Sequence, residues 1–181
     1  STAITVGVGE KGAAPRRIVV RGDAAHASAP WGRSNAAVTL AKVIDRLQAG
    51  APKPRISGQW LETLTALELP AELSTRLADP QTIDDAIDEL SAHPELGELA
   101  PFVHAWTHTT VAVTIVEAGS KVNVIPDSGS ISLDIRVLPG VTAEDVEAHL
   151  ASVAAEFPGL VSVEGEWFSP ANESATTTRL Y

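Results

Sequence analysis

The sequence has no cysteine, so neither disulfides nor thiolate metal sites can hold it together. The same absence fits a reducing compartment, and a cytoplasmic location is expected. Methionine is missing as well, even at position 1, where the chain starts Ser1-Thr2-Ala3-Ile4. A chain cut from something longer, or processed, is the expectation. No apolar run approaches the ~20 residues of a membrane span, and no charged-then-apolar start reads as a signal peptide. No membrane partner is expected. Basic residues are scarce where acids are dense: between Trp60 and Ala100 stand ten acids and a single base, Arg76. The remaining 13 acids and 12 bases nearly cancel, although the whole chain carries −10. No basic stripe offers itself to phosphate backbones, which excludes nucleic acid as the expected partner. The acidic block reads as the solvated face of helices, with a partner surface as the alternative.

What is present suffices for a core, since 44% of the 181 residues are hydrophobic. Arg17-Ile18-Val19-Val20-Arg21, closed by Gly22, reads as a first strand. A loop from Asp23 to Arg33 follows. Ser34 or Asn35 then caps a helix with Ala37, Leu40, Ala41, Ile44 and Leu47 at helical spacing, ended by Gly50 and Pro52. Val111, Val113 and Ile115 alternate with small and Thr residues as in a strand with one buried face. Ile131, Leu133, Ile135 and Val137 repeat the pattern against Ser130, Ser132, Asp134 and Arg136. Thr142 and Asp145 resemble a capping box for a helix lined by Val146, Leu150, Val153 and Phe157. Val161, Val163 and Trp167 alternate with Ser162, Glu164 and Glu166 in a last strand, and Asn172 to Thr178 reads as a loop or linker.

The order is β-α-β-β-α-β, interrupted between about Ala51 and Trp106 by two or three short helices. Strands apolar on one face want one covering layer, so both helices belong on the same side of an antiparallel sheet. The expected fold class is therefore α+β: a ferredoxin-like two-layer sandwich with a helical insertion, as a single domain over residues 1–181.

Five histidines are available. His104 and His108 have the i,i+4 spacing that zinc sites use on helices, but no glutamate follows the first, and they fall at an element boundary. His149 reads as solvent-facing and His93 as a turn residue. His26 lies in a loop of small residues, Gly22-Asp23-Ala24-Ala25-His26-Ala27-Ser28-Ala29-Pro30, where a backbone can approach a ligand closely. It is either a ligand-facing group or an ordinary surface residue. Ser28 is two residues away, but adjacency in sequence does not make a triad. Asn123, just before a strand, can donate to an oxyanion or satisfy its own loop. Arg136 offers a planar fork to a carboxylate, or pairs with Asp134 on the open face of the sheet.

Four fragments carry a resemblance: Gly9-Glu10-Lys11-Gly12; Val20-Arg21-Gly22 with Ala25-His26-Ala27-Ser28; Asn123-Val124-Ile125-Pro126-Asp127; and Asp134-Ile135-Arg136-Val137-Leu138-Pro139-Gly140. In this order they resemble the lid (dimerisation) domain of the co-catalytic zinc peptidases. That family includes glutamate carboxypeptidase, acetylornithine deacetylase, succinyl-diaminopimelate desuccinylase, aminoacylase and, with a comparable helical insertion, carboxypeptidase S. The match covers roughly residues 9–50 and 107–168. It implies a domain inserted into a zinc-binding catalytic domain, and a homodimer formed through an edge strand and the adjacent helix. It also implies cleavage of amide bonds in small peptides or N-acyl amino acids. His26 then matches the histidine that reaches the partner subunit's active site and polarises the scissile carbonyl. Asn123 matches the oxyanion asparagine, and Arg136 the carboxylate-binding arginine. No stretch matches the family's zinc ligands, so no cofactor is expected on this chain, the zinc belongs to the absent catalytic domain, and the chain alone is expected to be inactive. Ala29 and Ala118-Gly119 depart from the family's more usual residues. The competing expectation is a stand-alone ferredoxin-like regulatory or scaffolding module.

Overall fold

A computed structural model describes residues 9–165 and 167–174. Its contacts divide the chain into two compact units: one made of the residues up to Ala51 and from Val111 onward, the other of Pro52–Thr110. In chain order the elements are β1 (Gly9–Glu10), β2 (Gly12–Ala13), β3 (Arg16–Arg21), β4 (Ala25–His26) and α1 (Ala36–Ala49). Then come α2 (Gly58–Ala66), α3 (Ala71–Leu77), α4 (Ile83–Ser91), a 3-10 turn (Gly97–Leu99) and α5 (Ala100–Thr107). The chain continues with β5 (Thr110–Ala118), β6 (Val124–Ile125), β7 (Ser128–Val137), α6 (Ala143–Ala154), β8 (Val161–Gly165) and β9 (Asn172–Glu173).

The first unit is a sheet with helices on one face. β3 pairs antiparallel with β7, from Arg16↔Leu133 to Arg21↔Ser128, and with β8, from Arg16↔Gly165 to Val20↔Val161. The pairs Gly12↔Val137 and Ala13↔Arg136 continue the β3–β7 register, so β2 prolongs β3 along the same edge of β7. β5 also pairs with β7 and takes its other edge, which gives the order β5–β7–β3–β8. Strand alternation sends Ile18, Val20, Ile131, Leu133, Ile135 and Val137 to one face, where they join Leu40, Val43 and Leu47 of α1 and Val146, Leu150 and Val153 of α6 in one core. The other face, with Arg17, Ser132, Asp134 and Arg136, carries neither of the two helices of this unit among the described residues.

The helix ends follow local chemistry. Asn35 Oδ1 accepts from the amides of Ala37 at 2.9 Å and Val38 at 3.4 Å, capping α1. Thr142 and Asp145 form a reciprocal capping box on α6. The buried stripe of α1 is Ala36, Thr39, Leu40, Val43 and Leu47, while Ala41 faces solvent, so the apolar face is rotated from the one read off the sequence. Trp167 is exposed and Phe168 packs on the core in its place; Glu166 lies outside the described residues. Asn172 and Glu173 pair with Glu10 and Gly9 as a short ribbon rather than a loop; Ala175 to Thr178, like Ser1 to Ile4, lie outside the described residues.

The second unit holds four helices and a 3-10 turn rather than two or three helices. Trp60, Leu64, Leu73, Leu77, Ile83 and Leu90 build its core, and the Trp60 indole donates to Leu77 O at 2.8 Å. All ten acids of the block are exposed, and Asp84 and Asp85 stand in the first turn of α4, where the helix dipole favours negative charge.

Gly22 closes β3 against the start of α1. A Cβ there would stand 2.4 Å from Ser34 O and 2.8 Å from Ala36 N, both backbone atoms that cannot swing aside. Gly22→Ala is therefore expected to destabilise the fold by ~1–3 kcal/mol. Gly58→Ala, with nothing within 4 Å of the new Cβ, should stay within ~0.5 kcal/mol. Urea melts compare the two, and equal midpoints would refute the close-packing account of Gly22.

Candidate functional site

Two loops far apart in sequence are stitched into one ribbon. β4 pairs antiparallel with β6, Ala25 opposite Ile125 and His26 opposite Val124, and the Ala27 amide donates to Asn123 O at 2.9 Å. The ribbon is anchored to the body of the unit: Gly22 N–H donates to Asp127 O at 2.7 Å, and Ala36 N–H to Pro126 O at 3.2 Å. Asp23 and Ser34 brace the other side, Asp23 N–H donating to Ser34 O at 2.7 Å and Ser34 N–H to Asp23 Oδ2 at 3.0 Å. His26 and Asn123 are thus brought together, both exposed. The main chain of Asn123 ties the loop, which leaves its carboxamide out of that role.

The His26 ring is held by its own turn. Ala29 N–H donates to His26 O at 3.0 Å, Ser28 N–H donates to His26 Nδ1 at 3.2 Å, and the Ser28 hydroxyl lies 2.7 Å from the same nitrogen. Beside the ribbon, an open hollow of about 610 Å³ is lined by Arg17, Val19, Glu117, Val124, Ile125 and Ser130. Arg17 Nη2 donates to Ser130 Oγ at 2.8 Å within it.

Arg136 is elsewhere. It lies eight residues along β7 from Ser128, which at ~3.4 Å per residue puts it roughly 27 Å from the ribbon end of the strand. Its fork grips Asp134, Nε to Oδ1 at 2.8 Å and Nη2 to Oδ2 at 3.2 Å, on the sheet face opposite the two helices. Asp134, and further off Glu10, hold the guanidinium charge more firmly still. Lys11, to which the sequence reading gave no role, is the neighbour that was missed: burial, and then the charge of Arg136, push its amine down to about 8. The register that sets Gly12 opposite Val137 was the signal that could have found it.

The other histidines serve structure. His104 and His108 stack with ring centroids 4.2 Å apart and planes 4° from parallel. Nitrogen lone pairs lie in the ring planes, so two stacked rings cannot converge on one ion at ~2.0–2.1 Å. His108 instead hydrogen-bonds Asp84 Oδ1 through Nε2 at 2.9 Å and Thr107 Oγ1 through Nδ1 at 3.0 Å. His93 Nδ1 accepts from the amides of Glu95 and Leu96, closing a turn. His149 is not solvent-facing as expected: it is half-buried, Nε2 has no hydrogen-bond partner among the described residues, and burial lowers its pKa. No group of three His, Asp or Glu residues suited to a metal ion occurs among the described residues, and no helix there is long and apolar enough to cross a membrane. The described residues do not fit a zinc ion.

Against known proteins, the model of the peptidase dimerisation domain family matches residues 8–159. The chain belongs to that family. The peptidase dimerisation domain is 28% identical over 179 residues to a probable carboxypeptidase S-like protein of Dictyostelium discoideum, covering 98% of this chain and 33% of the relative. It is 30% identical over 155 residues to a human N-fatty-acyl-amino acid synthase/hydrolase, covering 83% of this chain and 29% of the relative. The dimerisation domain thus spans about a third of these relatives. Among solved structures it superposes on a metallo-carboxypeptidase of Sulfolobus solfataricus with a TM-score of 0.62 at 20% identity, covering 94% of this chain and 46% of that one. On human carnosine dipeptidase the TM-score is 0.60 at 14% identity, with 93% and 38% covered. These likenesses establish the mixed α/β fold, with antiparallel strands and helices.

Proposed function

We propose that this dimerisation domain completes the active site of a zinc-dependent peptidase or amidohydrolase that cleaves amide bonds of small peptides or N-acyl amino acids. The zinc, on this reading, belongs to a catalytic domain of the parent chain, and the enzyme works in the cytoplasm. The supporting observation is the ribbon that presents His26 beside Asn123, two neutral hydrogen-bond donors of the kind a developing oxyanion needs. Arg136 supplies the fork for the substrate carboxylate. The relatives' names, a probable carboxypeptidase S-like protein and an N-fatty-acyl-amino acid synthase/hydrolase, support this substrate class.

The β5–β7–β3–β8 order, with a helix following β3 and β7, supports the ferredoxin-like reading of the fold. The domain pairs with a second copy through β5 and the helix that covers its neighbour β7, α1. Ile115 and Val116 are half exposed on β5, a strand with no proline and with Glu117 as its one charge, which leaves the edge unguarded. Antiparallel pairing of β5 with its twin sets the far end of one sheet beside the ribbon end of the other. Each composite site then draws His26 and Asn123 from one subunit and Arg136 from the other, which one lid, with roughly 27 Å between them along β7, cannot do for a small substrate.

Light scattering of the chain at tens of micromolar is expected to give twice 18.9 kDa, and Ile115→Lys is expected to give a folded monomer. A monomer at every concentration, or an Ile115→Lys chain that still dimerises, would remove the edge-strand pairing.

A further inference from the structure

Two groups of Ser28, its amide and its hydroxyl, converge on one ring nitrogen of His26. The Ser28 amide, 3.2 Å from Nδ1, has only a proton to give, so Nδ1 must offer its lone pair. A neutral imidazole has one N–H, which leaves it on Nε2. The Ser28 hydroxyl, at 2.7 Å, sits on the same nitrogen and donates to it as well. The turn bond from Ala29 N–H to His26 O at 3.0 Å holds Ser28 over the ring. The arrangement is the imidazole counterpart of an Asx-turn, in which a side-chain acceptor captures the amide two residues on.

We infer that Ser28 is the positioning residue of His26: its amide and hydroxyl together hold the ring as the Nε2–H tautomer, with that proton directed away from the loop. This deepens the role proposed for His26 and rests on it. A carbonyl oxygen that gains negative charge needs an N–H, whereas the other tautomer would present a lone pair and repel it. The flanking Ala25, Ala27 and Ala29 carry no side-chain donor or acceptor, so among its sequence neighbours Ser28 alone can set the tautomer. It also distinguishes the turn from that of His93, where two backbone amides, Glu95 and Leu96, cap the same ring nitrogen without a hydroxyl.

The direct test is a long-range proton–nitrogen spectrum of the uniformly ¹⁵N-labelled chain, recorded above the titration range of imidazole. Nδ1 of His26 is expected to appear fully unprotonated and Nε2 fully protonated. Ser28→Ala, which removes the hydroxyl, should let averaging between the tautomers appear, and Ser28→Pro, which removes both donors, should complete it. In the parent enzyme Ser28→Ala should lower kcat by roughly three- to tenfold, about the worth of one hydrogen bond, with KM unchanged, and Ser28→Thr should restore it. An averaged or Nδ1-protonated ring in the unmodified chain would overturn the inference. So would a Ser28→Ala chain with unchanged spectrum and unchanged turnover. The spectrum does not depend on catalysis: a fixed Nε2–H ring in an enzyme whose turnover survives His26→Ala would sink the role of His26 and leave the tautomer standing.

Discussion

His26→Ala in the parent enzyme is expected to lower turnover about 10²–10³-fold, the usual cost of one oxyanion donor, or roughly 3–4 kcal/mol. Folding and dimerisation should survive. His26 is exposed, its neighbours on the loop are alanines, and the β4–β6 ribbon is held by main-chain bonds that the substitution leaves in place. A sharper result comes from mixing subunits. In a dimer of one His26→Ala subunit with one Arg136→Ala subunit, the composite arrangement gathers both substitutions into one site and leaves the other whole. Assayed at low substrate, the mixture is expected to recover up to about half of the activity of an unmodified dimer per heterodimer, one site of two. If one lid supplied both residues to the same site, each site would carry one defect and nothing would be recovered. No recovery with subunit exchange confirmed would therefore sink the shared site, and unchanged turnover of His26→Ala alone would sink the donor role.

What was legible in the sequence was what local chemistry writes locally. Asn35 and Thr142 announce their helices because a cap is satisfied within three residues, and β7 announces its buried face because pleating repeats every two. The rotated stripe of α1 escaped because Ala37 and Ala41 are as compatible with solvent as with a core, and packing against β7 and β3 decided between them. In the insertion, α3 is seven residues long and starts after Pro70, and α5 begins at Ala100-Pro101 with apolar residues on several faces, so neither offers a clean period. The β4–β6 ribbon could not be read at all, since two-residue strands carry no periodicity and their pairing is fixed by long-range anchors, Gly22 to Asp127 and Ala36 to Pro126. The candidate residues themselves were found by chemistry and resemblance. Their grouping, His26 with Asn123 and Arg136 apart, needed the register of β7.

Arg136→Ala is expected to raise KM for substrates with a free carboxylate, lowering kcat/KM by roughly 30-fold to several thousand-fold, the range spanned when one partner of a desolvated charged hydrogen-bonded pair is truncated. Turnover at saturation should change little, because the bond exists in the ground state as well as the transition state. Substrates with an amidated or reduced carboxyl group should be spared. Asp134 is the resident competitor for the fork, but an exposed pair of this kind is worth only ~0–1 kcal/mol, so on the proposed role a substrate carboxylate bound in a closed, drier site is expected to displace it. Arg136→Lys keeps the charge and loses the fork, and should fall between the unmodified enzyme and alanine. Lys11 adds a pH signature. Its amine titrates at about 8, so it is an ammonium at neutral pH and an uncharged amine above. The positive field around Arg136 therefore weakens as pH rises through about 8, and KM for carboxylate substrates should climb there while KM for the capped analogues stays level. Kinetics on matched free and capped substrates across that range decide the matter. If Arg136→Ala weakens both substrates equally, Arg136 does not read the carboxylate, and its bond to Asp134 is its whole function.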